Sequence, residues 1–504
     1  MYLSKSRYCS AVQCPKMLWL KANKPDEFDD SVMNEAVLQT GNEVGDLAMG
    51  LFGDFVEVPF DRPLQKMIDK TKELIDGGTS VIAEASFSYQ GAFCSVDILK
   101  NLGDKHMELY EVKSSTEVKE IYYHDVAYQC YVLSKLGYTI ERACVVHINN
   151  EYVRHGELDL QKLFVIEDVT KIASDLYEDV EERLVFLNEY MKQKDDPEKE
   201  IGLHCFDPYA CGFFEYCTKD LPKPNVFNVA SLRKKKMIEC LCAGRVSFED
   251  LWNSKTIGDR YLKQIDFEIH DLPPEIHPEG IQAFLDTLTY PLYFLDFETF
   301  MPAIPLYDNS HPYEQITFQY SLHYIEEEGG ELKHKEFLAY PGEDPRRELA
   351  ERLCEDIPLD VCTMAYNMGF EKGRIKGLAA IYPELADHLM NIHDHIVDLM
   401  IPFQKKDYYC REMQGSYSIK YVLPALFPDD PALDYHNLEG VHHGGEAMDT
   451  FKRMAYMNPD ELEEWRGYLL KYCELDTFAM VKIWEKLIEI CGSGLEKKKR
   501  RKKW

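Results

Sequence analysis

Apolar and polar positions follow two rhythms along the chain, and the switches between them outline its elements. Val81 to Ser88, Ala92 to Leu99 and Met107 to Lys113 are short runs rich in β-branched and aromatic residues, with a turn at Gln90-Gly91, and read as three strands. Val32 to Phe52 has helical spacing with Gly41 and Gly45 inside it, and a charged helix runs toward a polar break near Lys192 to Glu200. Pro222 and Pro224 then open a mostly helical stretch, in which Ala230 to Leu241 and Phe248 to Asn253 suit short helices joined at Gly244. Strand patterning returns with Tyr293-Phe294-Leu295-Asp296-Phe297-Glu298-Thr299, a short run that reads as a buried strand. Gln315 to Ile325 and Leu332 to Tyr340 alternate around a turn at Glu327-Glu328-Gly329-Gly330. Asp344-Pro345 starts a helix through Cys354, Val361 to Tyr366 is a fourth strand, and an amphipathic helix spans about Glu461 to Glu489.

Length divides this pattern, because 504 residues exceed what one core holds. The expected division is a first domain over 1–220, a helical linker module over 221–288, a last domain over 289–491 and a basic flexible tail over 492–504. The tail is either a nonspecific tether to nucleic acid or a disordered end. No apolar run is long enough to span a membrane, and Met1 to Leu20 mixes Lys5, Arg7 and Lys16 into its hydrophobic residues, so a soluble cytoplasmic protein without a membrane partner is expected. The net charge of −31 does not point to nucleic acid. It does not exclude it either, since nucleases concentrate carboxylates for metal binding and confine basic residues to a groove. Fifteen cysteines in a reducing compartment raise the question of metal.

Candidate chemistry gathers at three places. Period-2 geometry puts Asp296 and Glu298 on one face of their strand, where like charges raise each other's pKa unless a cation separates them. Read alone, such a pair is more often an exposed strand end carrying two solvated acids. Cys205, Cys211 and Cys217 recur at six-residue steps around Pro208 and Gly212, which suits a ligand loop around a metal; Cys14 or Cys9 supplies a fourth thiolate. Zinc would also accept four thiolates, but the close C-x-x-C knuckles of most zinc sites are missing. Asp97, Glu111 and Lys113 lie at the ends of adjacent strands, where acids hold a divalent ion and a lysine stabilises developing charge in phosphodiester hydrolysis. Lys234-Lys235-Lys236, the Cys240/Cys242 pair and the His393/His395 and His442/His443 pairs read as surface or structural features.

Glu84, Val96-Asp97-Ile98, Glu111-Val112-Lys113 and the helix carrying Asp125 and Gln129 resemble the RecB-like branch of the PD-(D/E)XK nucleases in order and spacing. The split cysteine set resembles that branch's iron–sulfur members, which include the AddB nuclease domain and CRISPR-associated RecB-like exonucleases. The resemblance implies a [4Fe-4S] cluster on Cys14, Cys205, Cys211 and Cys217, metal on Asp97 and Glu111, a catalytic Lys113 and an organising Gln129. Gly45 stands where the family often has a metal-binding His, and Tyr128 and Tyr131 flank Gln129 where the family has a Tyr about four residues later.

Ala365-Tyr366-Asn367-Met368-Gly369-Phe370-Glu371 runs from a strand end into a helix, and Tyr472 and Asp476 share a helix face. With Asp296 and Glu298, this set resembles the DEDD exonucleases of the DnaQ-like superfamily, with Glu371 in place of the usual Asp. That resemblance implies a ribonuclease-H-like domain with Mg²⁺ or Mn²⁺ on Asp296, Glu298, Glu371 and Asp476, and Tyr472 placing the attacking water. Gly415 to Pro424, with Lys420, reads as a substrate-facing loop. The whole chain resembles uncharacterised bacterial proteins joining the two domain types.

The fold class expected is therefore α/β: an N-terminal restriction-endonuclease-like domain with an iron–sulfur staple, a helical linker and a C-terminal DnaQ-like domain. The expected function is a metal-dependent nuclease degrading DNA, with single-stranded ends cut 3′ to 5′ at the DEDD site, in repair, recombination or defence. The alternatives are a DNA-binding scaffold with an inactive iron–sulfur clamp and an exonuclease acting on RNA.

Overall fold

The computed structural model describes residues 3–32, 35–198 and 200–501, with the backbone alone for 35–37 and 493–501. It is mixed α/β and divides into two compact units, one of residues 1–221 with 302–314 and one of residues 222–301 with 315–504. No helix among the described residues is long and apolar enough to cross a membrane.

The first unit is built on a seven-stranded sheet. Its strands are β1 (Leu3–Ser4), β2 (Val56–Glu57), β3 (Val81–Tyr89), β4 (Ala92–Gly103), β5 (His106–Lys113), β6 (Thr139–Ile148) and β7 (Phe164–Asp168). They lie in the order β2-β3-β4-β5-β6-β7, with β1 pairing in parallel with β4. Gln90 and Gly91 both take positive φ, 48° and 88°, so the two-residue loop between β3 and β4 has the backbone twist that a tight hairpin needs. β5 and β6 are parallel, and the crossover between them is helix α5 (Glu120–Lys135). Helices α1 (Lys5–Gln13), α2 (Pro15–Asn23), α3 (Glu35–Met49) and α4 (Gln65–Asp76) precede that crossover.

The long helix expected over Val32 to Phe52 is shorter: α3 is flanked by 3-10 turns at Asp30–Val32 and Gly50–Phe52, and residues 33 and 34 fall outside the described chain. Tyr128 on α5 pins the start of the chain. Its hydroxyl donates to the Leu3 carbonyl (2.5 Å) and accepts from the Phe93 amide (3.0 Å), and its ring stacks on Tyr8 at 4.7 Å. This fixes where α1 begins, and with it Lys5.

The second unit holds a five-stranded sheet of β8 (Leu292–Phe300), β9 (Ile316–Ile325), β10 (Lys333–Leu338), β11 (Cys362–Ala365) and β12 (Ile396–Asp398). Its order is β10-β9-β8-β11-β12, the first three antiparallel and the last two parallel to β8. Phe294 at the centre of β8 is fully buried with Met364, Leu487 and Trp484 in the main core. Helices α6 (Gly369–Ile381), α7 (Gly444–Met454) and α8 (Pro459–Arg501) frame the sheet. The Gln319 side chain donates to the Leu469 carbonyl (2.8 Å) and Arg466 to the Leu338 and Ala339 carbonyls, which fastens α8 across β9 and β10.

Two boundaries differ from those expected. The stretch 221–288 is only partly a separate module: Val226 to Ile265 form a small core of their own, but Phe267, Ile281 and Phe284 join the main core of the second unit. The connection from β8 to β9 falls within the last domain expected from sequence, yet residues 302–314 belong to the first unit. There Arg154 donates to the Pro305 and Leu306 carbonyls and the Gly156 amide to Asp308. In the tail, the backbone of α8 continues to Arg501, while residues 502–504 and the side chains from 493 on lie outside the described residues.

Candidate functional site

The second unit concentrates carboxylates that form no salt bridge with a lysine, arginine or histidine among the described residues. Asp296 and Glu298 stand opposite Ser321 and Gln319 in the β8–β9 register, so both lie on the sheet face that α8 covers. One ligand oxygen from each of Asp296, Glu298 and Asp476 falls within 4.8 Å of the others. Burial pushes Asp296 well above the usual carboxylate range, and Asp476, Glu371 and Glu298 add to the shift; burial and Asp476 do the same to Glu298. Burial also lifts Asp476 to about 6, although the Tyr435 and Tyr472 hydroxyls both bond its carboxylate, with Tyr435 at 2.6 Å. Tyr472 therefore stands one helical turn before Asp476 and touches it, as the spacing predicts.

These groups form the floor of a cavity of about 800 Å³. Its walls include Lys420, Tyr435, His436, His442 and His443. Gly444, the first residue of α7, lies beside Glu298: a Cβ there would sit at ordinary contact distance, 3.7 Å, from Glu298 Oε2. Lys420 fits the loop expected to face substrate, and its charge acts on Asp476. His442 and His443, expected from sequence in surface or structural roles, line the wall while remaining solvent-accessible, His443 the more exposed of the two.

Glu371 is placed differently. It sits in the first turn of α6, 2% exposed, and does not line the cavity. Its Oε2 has no hydrogen-bond partner among the described residues, and burial together with Asp398 raises its pKa to about 8. Asp398, absent from the sequence reading of the site, accepts from the Asn367 (2.9 Å) and Met368 (3.2 Å) amides and so holds the turn that leads into Glu371. Three acids with raised pKa values and ligand oxygens within 4.8 Å of one another form a donor set of the type that a divalent cation satisfies, while the orphaned Glu371 oxygen lies outside the cavity lining.

In the first unit the same kind of cluster is already balanced. Asp97 accepts from the Val112 amide (2.7 Å), where β4 and β5 separate. Lys113 Nζ bonds Glu111 (2.7 Å) and Asp125 (2.6 Å), and Gln129 donates to Glu111 (2.7 Å) and Asp125 (3.0 Å). Asp97, Glu111, Lys113 and Gln129 thus meet, and Asp125 belongs with them.

Lys5, noted in the sequence only as a basic residue among the hydrophobic ones of Met1 to Leu20, reaches between the two acids: its Nζ lies 3.0 Å from Asp97 and 2.8 Å from Glu111. Burial alone would raise Glu111, but Lys113 and Lys5 outweigh it and hold the carboxylate well below its usual range. Asp97 stays at about 6 because burial and Glu111 outweigh the lysines. Glu84 falls between register pairs like Asp97, has φ of 55°, and is raised to about 7 by burial and Asp97. An ammonium between Asp97 and Glu111 takes the position that a divalent ion needs, so in this arrangement the residues do not fit a bound metal.

The cysteines expected to share a cluster also converge. Burial lifts the Cys205 thiol to about 11, and Cys211, Cys14 and Cys217 act on it electrostatically. Gln13 donates to the His204 and Tyr209 carbonyls at 2.7 Å each, tying the end of α1 to the cysteine loop. Gly212 is required there, because a Cβ would lie 2.5 Å from the Phe28 ring. None of the four belongs to a compact group of three donors within 4.8 Å among the described residues.

A family model described as Domain of unknown function (DUF2779) matches residues 293–418. That span carries Asp296, Glu298, Glu371 and Asp398 and stops short of Tyr472 and Asp476. The chain is 26% identical over 230 residues to the uncharacterized protein UU173 of Ureaplasma parvum, covering 42% of this chain and 33% of that protein. It is 26% identical over 210 residues to the uncharacterized protein MG366 of Mycoplasma genitalium, covering 38% and 31%. The chain thus spans about a third of the length of these curated relatives. No solved structure matches.

The raised carboxylates give a pH signature. Asp476 has a folded pKa near 6, above the value near 4 of an unfolded aspartate, so its contribution to metal-free stability is full below about pH 4 and lost as pH rises through about 6. Thermal unfolding of the metal-free protein is expected to show a Tm falling over that window. Mg²⁺ or Mn²⁺ should raise Tm more above about pH 7 than below about pH 5. In Asp476→Asn both responses should shrink, and a metal response of unchanged size would contradict the site.

Proposed function

We propose that the chain is a metal-dependent phosphodiester hydrolase acting on nucleic-acid ends, with its chemistry at Asp296, Glu298 and Asp476. The observation that carries this reading is the uncompensated triad of carboxylates, within 4.8 Å of one another, on the floor of an open cavity. Two divalent ions bound there would supply Lewis acidity at both the attacking and leaving oxygens. Asp296, Glu298 and Asp476 would hold them, with Glu371 behind Asp296. Tyr472, fixed on Asp476, orients a water, and Lys420 with His442 and His443 offers positive charge and donors to phosphate without reading bases.

The strand order and the sequence of motifs support a ribonuclease-H-like, DnaQ-type domain releasing nucleoside monophosphates from 3′ ends. DNA in repair, recombination or defence is the substrate class proposed, with RNA as the competing polymer. For the first unit, a RecB-like domain stapled by a [4Fe-4S] cluster is the reading that the strand order and the convergent cysteines favour.

A specific observation supports a second reading of this first unit. Lys5 fills the gap between Asp97 and Glu111, which favours a nucleic-acid-binding module over a second cleaving centre.

With Mn²⁺ or Mg²⁺, the purified chain should shorten 5′-labelled single strands progressively and release label from 3′-labelled ones at once. Asp476→Asn should lower that rate at least about a hundredfold, since even residues behind a metal ligand are worth 10–100-fold. Full activity in the variant would refute the assignment. Glu111→Ala should leave 3′ release within about twofold of wild type, whereas loss of a separate cleavage activity would restore a second nuclease centre. Anaerobically purified protein should be brown and hold about four irons per chain, and Cys211→Ser should bleach it; colourless protein with one zinc at the cysteines would exclude the cluster.

A further inference from the structure

A second donor group lies on the sheet face that carries Asp296, and the residue roles described so far do not use it. His323 on β9 and His334 on β10 are register partners across the hairpin that turns at Glu327 to Gly330. Their rings stand 4.5 Å apart at 36°, and one ligand atom from each falls within 4.8 Å of the other and of a Glu474 carboxylate oxygen on α8. Glu474 lies between Tyr472 and Asp476, so the same helix serves both clusters.

The hydroxyls around the two imidazoles determine where their protons are. Thr477 Oγ1 donates to the Glu474 carbonyl (3.1 Å), the back-bond of a helical threonine, so it can only accept from its other neighbours. Ser321 Oγ, 2.6 Å away, must then give its one proton to Thr477, and His323 Nδ1, at 2.8 Å, must donate to Thr477 as well. With its proton committed, Ser321 accepts at 2.9 Å from His334 Nε2. Each ring therefore carries its N–H on the nitrogen that meets a hydroxyl. The opposite nitrogens, Nε2 of His323 and Nδ1 of His334, are left as bare lone pairs when the rings are neutral.

Two imidazoles, each oriented through its second nitrogen, beside a carboxylate form a donor set suited to zinc, and the hydroxyls supply the outer support that such ligands need. Glu336, the register partner of Ser321, adds a second carboxylate at the open side, where Glu474 also reaches solvent.

We propose that His323, His334 and Glu474 bind one Zn²⁺, completed by water or Glu336, and that this ion fastens α8 to β9 and β10. Its position sets the consequence. Ser321 pairs with Asp296 in the sheet, and Thr477 follows Asp476 on the helix, so the ion holds together the two elements that carry the catalytic candidates. The proposal stands whether or not that neighbouring site cleaves nucleic acid.

Full-length protein and its His334→Ala and Glu474→Gln variants are dialysed against equal micromolar Zn²⁺, and bound metal is counted by mass spectrometry. Other zinc-accepting groups, including the cysteines and the Asp296 triad, are present in all three proteins, so the difference isolates this site. Wild type should hold about one zinc more per chain than His334→Ala, and Glu474→Gln should bind that zinc at least about tenfold more weakly. Co²⁺ loading should give wild type a visible absorption band of a tetrahedral nitrogen and oxygen site that His334→Ala lacks. Both substituted side chains reach the surface, and circular dichroism checks that the variants fold. Equal zinc content in wild type and folded variants, or binding only at millimolar zinc, overturns the proposal.

Discussion

Like charges in a confined, poorly hydrated space are the constraint from which the second unit is best understood. Asp296, Glu298 and Asp476 repel one another and are each partly stripped of water, so the protein alone would gain by moving them apart. They remain together because strong connections surround them. β8 is central in its sheet, α8 is fastened to β9 and β10 through Gln319 and Arg466, and two tyrosines bond Asp476. A core built on Phe294, Trp484 and Leu487 holds strand and helix in that relation.

The first unit poses the same problem and answers it with two lysines. Asp97, Glu111 and Asp125 share Lys5 and Lys113, and Gln129 donates to two of the acids. Its charges are matched by side chains of the chain itself, whereas those of the second unit are not. Two clusters of similar composition thereby acquire different chemical characters from one difference: Lys5 and Lys113 bridge the acids of the first directly, whereas Lys420 acts on the second only from the cavity wall. Lys5 reaches its position only because Tyr128 and the short β1 fix the first residues against β4.

Much of this was legible in the sequence. The strand Tyr293 to Thr299, the hairpin at Gln90-Gly91, the convergence of Asp97, Glu111, Lys113 and Gln129, and the contact of Tyr472 with Asp476 follow from period, turn chemistry and helical spacing. What was not legible depends on distances between remote segments. Lys5 carries no motif, and its partners stand 92 and 106 residues away. Tyr435 and His442 line the cavity through loops without periodic signal. His323 and His334 meet only because the hairpin register pairs them, and a shift of one residue would separate them. Glu371 was located correctly in its helix, but whether it would face the cavity or lie behind its wall depended on the packing of α6.

The excursion of residues 302–314 bears on how such a chain can be divided. Between β8 and β9 the backbone leaves the second unit, contributes the segment that Arg154 and Gly156 bind in the first, and returns. Tyr313 in that segment also donates its hydroxyl to the Ser114 carbonyl, one residue beyond Lys113. Neither unit is therefore a continuous stretch of gene. A cut near residue 221 yields a first unit lacking part of its own surface and a second carrying a loop with its partners removed. The two units are best regarded as co-inherited, and recombination that shuffles whole domains between genes would have to preserve both crossings or rebuild the loop.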